Sequence, residues 1–449
     1  MDTGRAAGGP ADDVVLAGAQ PPGPAGQPGA GTASRSILRQ RLILVLGIVV
    51  FAASVGTWAG LHLVSPSLQS GMLDLQVYRW GGLIARHSGD LYGAHFPYHH
   101  LRFTYTPAAA LVFAGMSAMP WLSLELLSAL AGIASLTAVM WLTWGLLGYR
   151  RPAGRAAAAL IAAGVAVWLG PVQQTLDLGQ INLVLMLLVL ADLSLPDSAR
   201  FKGIGLGLAA GFKLTPLIFV LYLLLTRRFR AAAVALSTFA ATIAVSLVLL
   251  PGQAREFWFG GLFLNSRRTG NNAYVGNQSL HGMLARLVGE TAASQLPRAA
   301  LPVLAGLAGV LLAAWWSRRG QEAIGILTCA LAGLLASPIS WAHHWVWAAP
   351  ALLVAAEAAA HWPARPGPRR WAAWFGLALL AAPFFIVPQD LVPPSELQGH
   401  HLSGLEWLAG NLYVITGLLT LGLIAAARLI LDRQANQTPD QTPVVSDQR

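Results

Sequence analysis

The sequence predicts an all-α polytopic membrane protein, and three observations carry that reading. Long apolar runs recur from Leu42 to Leu431. Charged residues make up 11% of the 449 positions, where a soluble domain carries roughly 25%. The arginines gather in short loops between the apolar runs, as the positive-inside rule requires. The net charge of +10 is thus accounted for by membrane orientation. No nucleic-acid partner is expected, and membrane lipids are. The single cysteine, Cys329, lies inside an apolar run and allows no intrachain disulfide.

Residues Met1 to Ser34 are rich in Gly, Pro and Ala without periodicity, and 1–40 is expected to be a disordered cytoplasmic tail. No short apolar core with a small-residue cleavage site stands at the start, so no signal peptide is expected. Arg35, Arg39 and Arg41 precede the first span, Leu42 to about Val64, which places the N-terminus inside. An outer loop to about Arg102 follows. There Leu73, Val77, Trp80 and Ile84 recur at helical spacing, predicting a short amphipathic helix on the membrane surface with Tyr78 and Trp80 at headgroup depth.

Thr104 to Met119 is apolar but short, whereas Trp121 to Leu147 is a full-length run. If both crossed, Arg150, Arg151 and Arg155 would lie outside; the first is therefore expected to be re-entrant or interfacial. Ala156 to Leu169 then goes out and Ile181 to Leu195 returns. Gly203 to Leu225 poses the mirror problem, because one crossing would put Arg227, Arg228 and Arg230 outside. A break at Gly211-Phe-Lys213-Leu-Thr-Pro216 into two short helices that rise and fall keeps them inside. Further spans are expected at about Ala231–Leu250, Ala299–Trp316, Ala323–Ala336, Trp345–Ala360, Trp371–Val387 and Leu412–Leu431. The total is ten crossings plus a hairpin, or about 12 membrane helices across residues 41–432, with a second disordered cytoplasmic tail at 433–449. No internal repeat of the kind that builds many transporters stands out.

The outward segments on this topology are 65–102, 171–180, 251–297, 337–344 and 389–407. They hold Asp74, Tyr78, Arg79, Asp90, His95, His99 and His100, then Gln173, Gln174, Asp177 and Gln180, with Asn182 just beyond. Asn265, Arg267, Arg268, Asn271, Asn272, Asn277, Gln278 and His281 follow, and then Trp341, His343 and His344. Amides pair with vicinal hydroxyls, basic groups answer phosphates, and aromatic rings offer flat apolar faces. Such residues also simply solvate loops. Two positions resist that reading. Asp74 is a lone carboxylate among Met72, Leu73, Leu75 and Val77, which is costly unless something uses it. Lys213 stands at a helix break in a chain with only one other lysine, Lys202; a phosphate or Asp177 are its candidate partners. Adjacent histidines at 343 and 344 point in different directions and no HExxH spacing occurs, so no metal site is expected.

Six segments taken in order, GMLDLQVYRWGG, FTYTPAAALVF, LDLGQINLVLMLLVLADL, GFKLTPLIFVLYLLLTRRFRA, GNQSLHGML and SPISWAHHWVW, resemble glycosyltransferase family 87. The resemblance runs from about Leu42 to Leu431. It implies a GT-C fold in a bacterial plasma membrane, with the site facing outward. Transfer of mannose from polyprenyl-phosphate-β-mannose to a mannoside of a cell-envelope glycolipid or lipoglycan would follow, with inversion and an α-1,2 linkage. Some members move arabinofuranose instead, and a lipid-linked sugar flippase is a rival from another class. The resemblance maps the catalytic base onto Asp74 and makes Lys213 and His343 or His344 site residues. With Arg79 they are expected to hold the donor phosphate. Tyr78, Gln180, Asn182, Asn277, Gln278 and Trp341 are expected to bind sugar or acceptor. The lipid-linked sugar is a co-substrate, and no other cofactor is expected. Asp90, in the turn-like SGDLYG, is not expected to be catalytic.

Overall fold

A computed structural model describes residues 30–64, 71–97, 101–150, 152–361, 368–399 and 402–437. The chain is all-helical: among the described residues there is no β-strand, only isolated bridges such as His95 to Arg102 and Asn277 to Trp341. Among the described residues five helices are long and apolar enough to cross a membrane, Leu38–His62, Trp121–Leu146, Phe229–Leu249, Ala292–Arg318 and Leu412–Arg433. A sixth candidate is the pair Pro152–Ala166 and Gly170–Asp177, bent by 80°. The segment 171–180, read from sequence as a loop, is therefore largely helical, with Pro171 in its first turn where no amide donor is needed.

The remaining expected spans form shorter helices. Asn182–Leu193 has 12 residues, Glu322–Ala336 15, Ala348–Ala360 13 and Pro368–Ala381 14. At 1.5 Å per residue none alone reaches the roughly 30 Å of a hydrocarbon core. Pro107–Met116, with 10 residues, is short as expected of a segment that does not cross. The first helix starts at Ala30 and the last ends at Gln437, so 30–40 and 433–437, assigned from sequence to disordered tails, are helical. The rest of both tails, together with His99 and His100, lies outside the described residues.

The break at Gly211–Pro216 is present. One helix ends at Phe212, Lys213 is extended, and a 3-10 turn leads into Ile218–Leu225. Gly203, Gly207 and Gly211 meet Ala231, Ala235 with Thr238, and Thr242 in turn, so Ile204–Phe212 runs parallel to Phe229–Leu249. The chain then returns to its starting end. Lys202 Nζ and Arg228 Nε both reach Asp197, at 2.8 Å and 3.2 Å, so the segment is a hairpin whose two ends meet.

That end of the molecule is tied together by further polar contacts. Arg228 pairs with Glu322 at 2.6 Å, Arg319 with Asp432 at 2.8 Å, and Tyr149 donates to Glu357 at 2.5 Å. Segments read from sequence as outward interlock elsewhere, through Asn271 with Gln398, Asn277 with Pro338, and Gln278 with Gly410.

The helix Leu73–Arg86 forms as expected, but its buried positions are Leu75, Val77, Tyr78, Gly81, Gly82 and Ala85. Of the apolar face read from sequence, only Val77 is fully buried. The reason is its packing against Pro107–Met116. A Cβ on Gly82 would lie 2.2 Å from the Phe113 carbonyl oxygen, so glycine permits that approach. Tyr78 stacks on Phe113 with ring centroids 4.4 Å apart. Leu75, Tyr78, Leu91, Tyr92, Phe103, Phe113 and Phe257 form the core beneath.

Candidate active site

A cavity of about 530 Å³ opens between the Asp74 helix, the Phe103–Thr106 segment, the hairpin break, the Leu262–Thr269 loop and the turn Ser337–His344. The sequence segments converge there through backbone bonds. Asp74 and Leu75 amides both donate to the Leu178 carbonyl, at 3.0 Å and 3.1 Å. Gly179 makes this docking possible: its φ is +66°, and a Cβ there would lie 2.6 Å from that of Leu75. Thr106 accepts from the Ala109 amide, capping Pro107–Met116, and its hydroxyl donates to the Gly211 carbonyl. One threonine thus joins FTYTP to the turn that presents Lys213.

Asp74 is half-buried and faces the cavity. Its Oδ2 accepts from Gln180 Nε2 at 2.6 Å. Gln180 Oε1 lies 2.6 Å from the Tyr78 hydroxyl and 3.0 Å from that of Tyr105, while the two hydroxyls are 2.6 Å apart. Two phenols hold only two protons for these three contacts, and at least one of them donates to Oε1. That fixes the amide with Nε2 toward Asp74. Burial raises the Asp74 pKa to about 6, against the lowering effects of the Gln180 hydrogen bond and the Lys213 charge. A carboxylate held by one oxygen, with this proton affinity, can act as a base near neutral pH.

Lys213 Nζ donates to Asn182 Oδ1 at 3.2 Å and lies 2.7 Å from His344 Nε2. Its ammonium also sits 5.9 Å from the Tyr105 ring centre. Asn182 Nδ2 and the Thr175 hydroxyl donate to the His343 carbonyl, at 3.1 Å and 3.0 Å, which locks the histidine turn beside the lysine. His343 Nε2 is buried without a hydrogen-bond partner among the described residues. Asp177 pairs with His62 at 2.8 Å, so it is not the partner of Lys213.

Of the residues singled out from sequence, Asp74, Tyr78, Gln180, Lys213, Trp341, His343 and His344 line the cavity. Asn182 stands behind Lys213 and does not line it. Four expectations need correction, Asn182 as a sugar ligand being the first. Arg79 does not line the cavity; five helical positions turn it about 140° from Asp74. Asn277 and Gln278 are fully buried with their amides consumed. Asn277 accepts from the Ser340 amide and donates to the Asn272 and Pro338 carbonyls. Gln278 donates to the Val275 and Gly410 carbonyls and accepts from the Tyr413 amide. They brace the turn that carries Trp341 and the histidines. Asp90 closes its own turn by accepting from the Gly93 amide at 2.7 Å.

Sequence reasoning missed Tyr105 and Arg102 as cavity residues. Tyr105 stood in a quoted motif but resembled an ordinary interfacial aromatic. Arg102 marked a loop boundary.

A helical body with membrane-length apolar helices, folded around a cavity that a carboxylate and several cationic side chains line, is the arrangement of a membrane glycosyltransferase. The chain belongs to glycosyltransferase family 87, whose family model matches residues 103–338. It is 34% identical to a polyprenol-phosphate-mannose-dependent alpha-(1-2)-phosphatidylinositol pentamannoside mannosyltransferase of Mycobacterium tuberculosis (strain CDC 1551 / Oshkosh), over 85% of this chain and 87% of that one. A protein of the same description from Mycolicibacterium smegmatis is also 34% identical, over 80% and 86%. A polyprenol-phosphate-mannose-dependent alpha-(1-2)-phosphatidylinositol mannoside mannosyltransferase of M. tuberculosis H37Rv is 32% identical, over 83% and 90%. No solved structure matches the chain.

Proposed function

We propose that this glycosyltransferase moves mannose from polyprenyl-phosphate-β-mannose to a mannoside on a cell-envelope glycolipid, forming an α-1,2 linkage. The observation that carries the reading is Asp74, held by Gln180 at 2.6 Å and facing the cavity that Lys213 also lines. The relatives' printed activities support mannose over arabinose.

The chemistry is an inverting displacement. The acceptor oxygen attacks C1 from the face opposite the phosphate and loses its proton to Asp74. The C1–O bond to polyprenyl phosphate breaks, and its electron pair leaves as a phosphate monoester. Lys213, with the neighbouring His343 and His344, answers the developing charge. Tyr78 and Tyr105 act through Gln180, holding the base in place. Trp341 offers its ring to a sugar face. The donor bond supplies the energy, and a lipid-linked sugar is the only co-substrate this scheme needs. Purified protein incubated with labelled polyprenyl-phosphate-mannose and a panel of mannoside acceptors should yield a labelled α-1,2-linked product. Transfer to none of them, in the presence of folded protein, would overturn the reading.

The fold in this proposal is GT-C, with about 12 membrane helices and the Leu73–Arg86 helix at the outer surface of a bacterial plasma membrane. The cavity then faces outward and the Asp197–Arg228–Glu322 end faces the cytoplasm. Cysteines introduced at Gly154 and Ser198 should be protected from an impermeant thiol reagent in intact cells, and one at Ser403 should label. Gly179 is unsuited to such a probe because Leu75 fills the space its side chain would need. Outside labelling at 154 or 198 would reverse the orientation.

A further inference from the structure

The cavity has a second cationic region that the chemistry at Asp74 does not use. Arg102 and Arg268 both line it, on the Phe103–Tyr105 side and on the Leu262–Thr269 loop. Arg102 Nε donates to His95 Nε2 at 2.9 Å, and its terminal nitrogens have no hydrogen-bond partner among the described residues. Arg268 Nη2 donates to the Tyr92 carbonyl at 2.7 Å, and its guanidinium carbon sits 5.7 Å from the Tyr92 ring centre. The two guanidinium groups repel each other, while Glu256 and Asp90 attract Arg268 without forming an ion pair with it among the described residues. Neither arginine has an ion pair among the described residues. Two anchored guanidinium groups of like charge with free donors form a receptor for an oxyanion, and phosphate suits their planar forks best.

The apolar surroundings specify what carries that phosphate. Beside Arg268 the 3-10 turn Leu262–Leu264 leaves Leu264 75% exposed, and Phe259 nearby is 76% exposed. On a membrane-embedded chain such side chains meet lipid tails rather than water. The phosphate is therefore that of a lipid headgroup.

We propose that Arg102 and Arg268 bind the phosphodiester of the acceptor lipid. The assignment rests on the transfer reaction proposed above with a phosphatidylinositol mannoside as the acceptor glycolipid, the kind the relatives' names print, so that two lipids each bring one phosphate. The donor phosphate is bonded to the carbon under attack, so it must lie beside Asp74, where Lys213 stands. The acceptor phosphate is separated from its attacking hydroxyl by the inositol and at least one sugar, so it must lie away from Asp74. Lys213 is the cation whose charge acts on Asp74, and neither arginine is among the groups that do; Arg268 is instead fixed to Tyr92, whose hydroxyl donates to the Tyr105 carbonyl at 3.0 Å, and Arg102 to His95. Base and guanidinium pair then hold the two ends of the acceptor headgroup and set which hydroxyl reaches C1.

The test compares two acceptors at saturating donor: a phosphatidylinositol mannoside, and an alkyl mannoside with the same terminal sugar but no phosphate. In the R102Q/R268Q variant the ratio of their kcat/KM values should fall at least about tenfold relative to wild type, the worth of a lost charge-assisted contact. If the double variant melts early, the R102Q single variant at the exposed position is read instead, with a smaller fall expected in the same direction. A ratio within about twofold of wild type overturns the proposal, as does a rise in donor KM at unchanged ratio. Failure of the wild-type protein to use either acceptor would instead count against the transfer reaction itself.

Discussion

Asp74→Asn should lower turnover by about two to four orders of magnitude, the usual worth of a general base. The substitution is nearly isosteric, and an Asn oxygen still accepts from Gln180 Nε2. What it removes is the capacity to take the acceptor proton. The pH profile supplies an independent readout. Burial raises the Asp74 pKa to about 6, and the base works only when ionised. Wild-type kcat/KM should therefore rise with unit slope as pH climbs to about 6, and the residual activity of the Asn variant should lack that limb. The stability sign is opposite to that of a paired carboxylate. Because the folded-state pKa lies above the ordinary value, stability rises as pH falls through 6 toward 4, and the ionised group costs the fold at pH 7. The Asn variant should melt at or above the wild-type temperature there. Single-turnover transfer beside a thermal melt decides the matter. Normal melting with transfer within about threefold of wild type would remove Asp74 from the chemistry.

The residues that could be read from sequence were those in energetic conflict with their surroundings. Asp74 in an apolar turn and Lys213 at a helix break announced themselves because an isolated charge near lipid is costly. The hairpin at Gly211–Pro216 was legible for a related reason, since a single crossing would have misplaced three arginines. Tyr105 gave no such signal: its value is a hydroxyl that meets Gln180, 75 positions further along the chain, only once the chain is folded. Asn277 and Gln278 misled in the other direction. An amide in a loop looks like a sugar ligand, yet a loop packed inside the protein has carbonyls and amides of its own to satisfy, and both side chains serve those. The number of crossings was least legible. Helices of 12 to 15 residues are read by hydropathy as full spans when a neighbouring apolar turn extends the run, as Ala342–Trp347 does before Ala348.

Lys213→Ala should cost about two to three orders of magnitude in kcat/KM for the donor, comparable to the loss of one donor to a developing oxyanion. The side chain is held at 3.2 Å from Asn182 and 2.7 Å from His344, so its ammonium is aimed before any substrate arrives. Its partner is the phosphate, whose charge grows as the bond to C1 breaks. The loss should therefore appear in turnover and in donor KM, with acceptor KM nearly unchanged. Lys213→Arg keeps the charge but should not restore activity. The planar fork needs room that Asn182, Tyr105 and His344 already occupy, and it presents its donors along different directions. Removing the ammonium also frees Asn182 Oδ1 and His344 Nε2, and a thermal melt must accompany the kinetics to separate a fold defect from a lost contact. A normally melting alanine variant whose donor KM and turnover match wild type would take the phosphate away from Lys213. Loss confined to acceptor KM would do the same, and would place this lysine on the acceptor's side of the cavity.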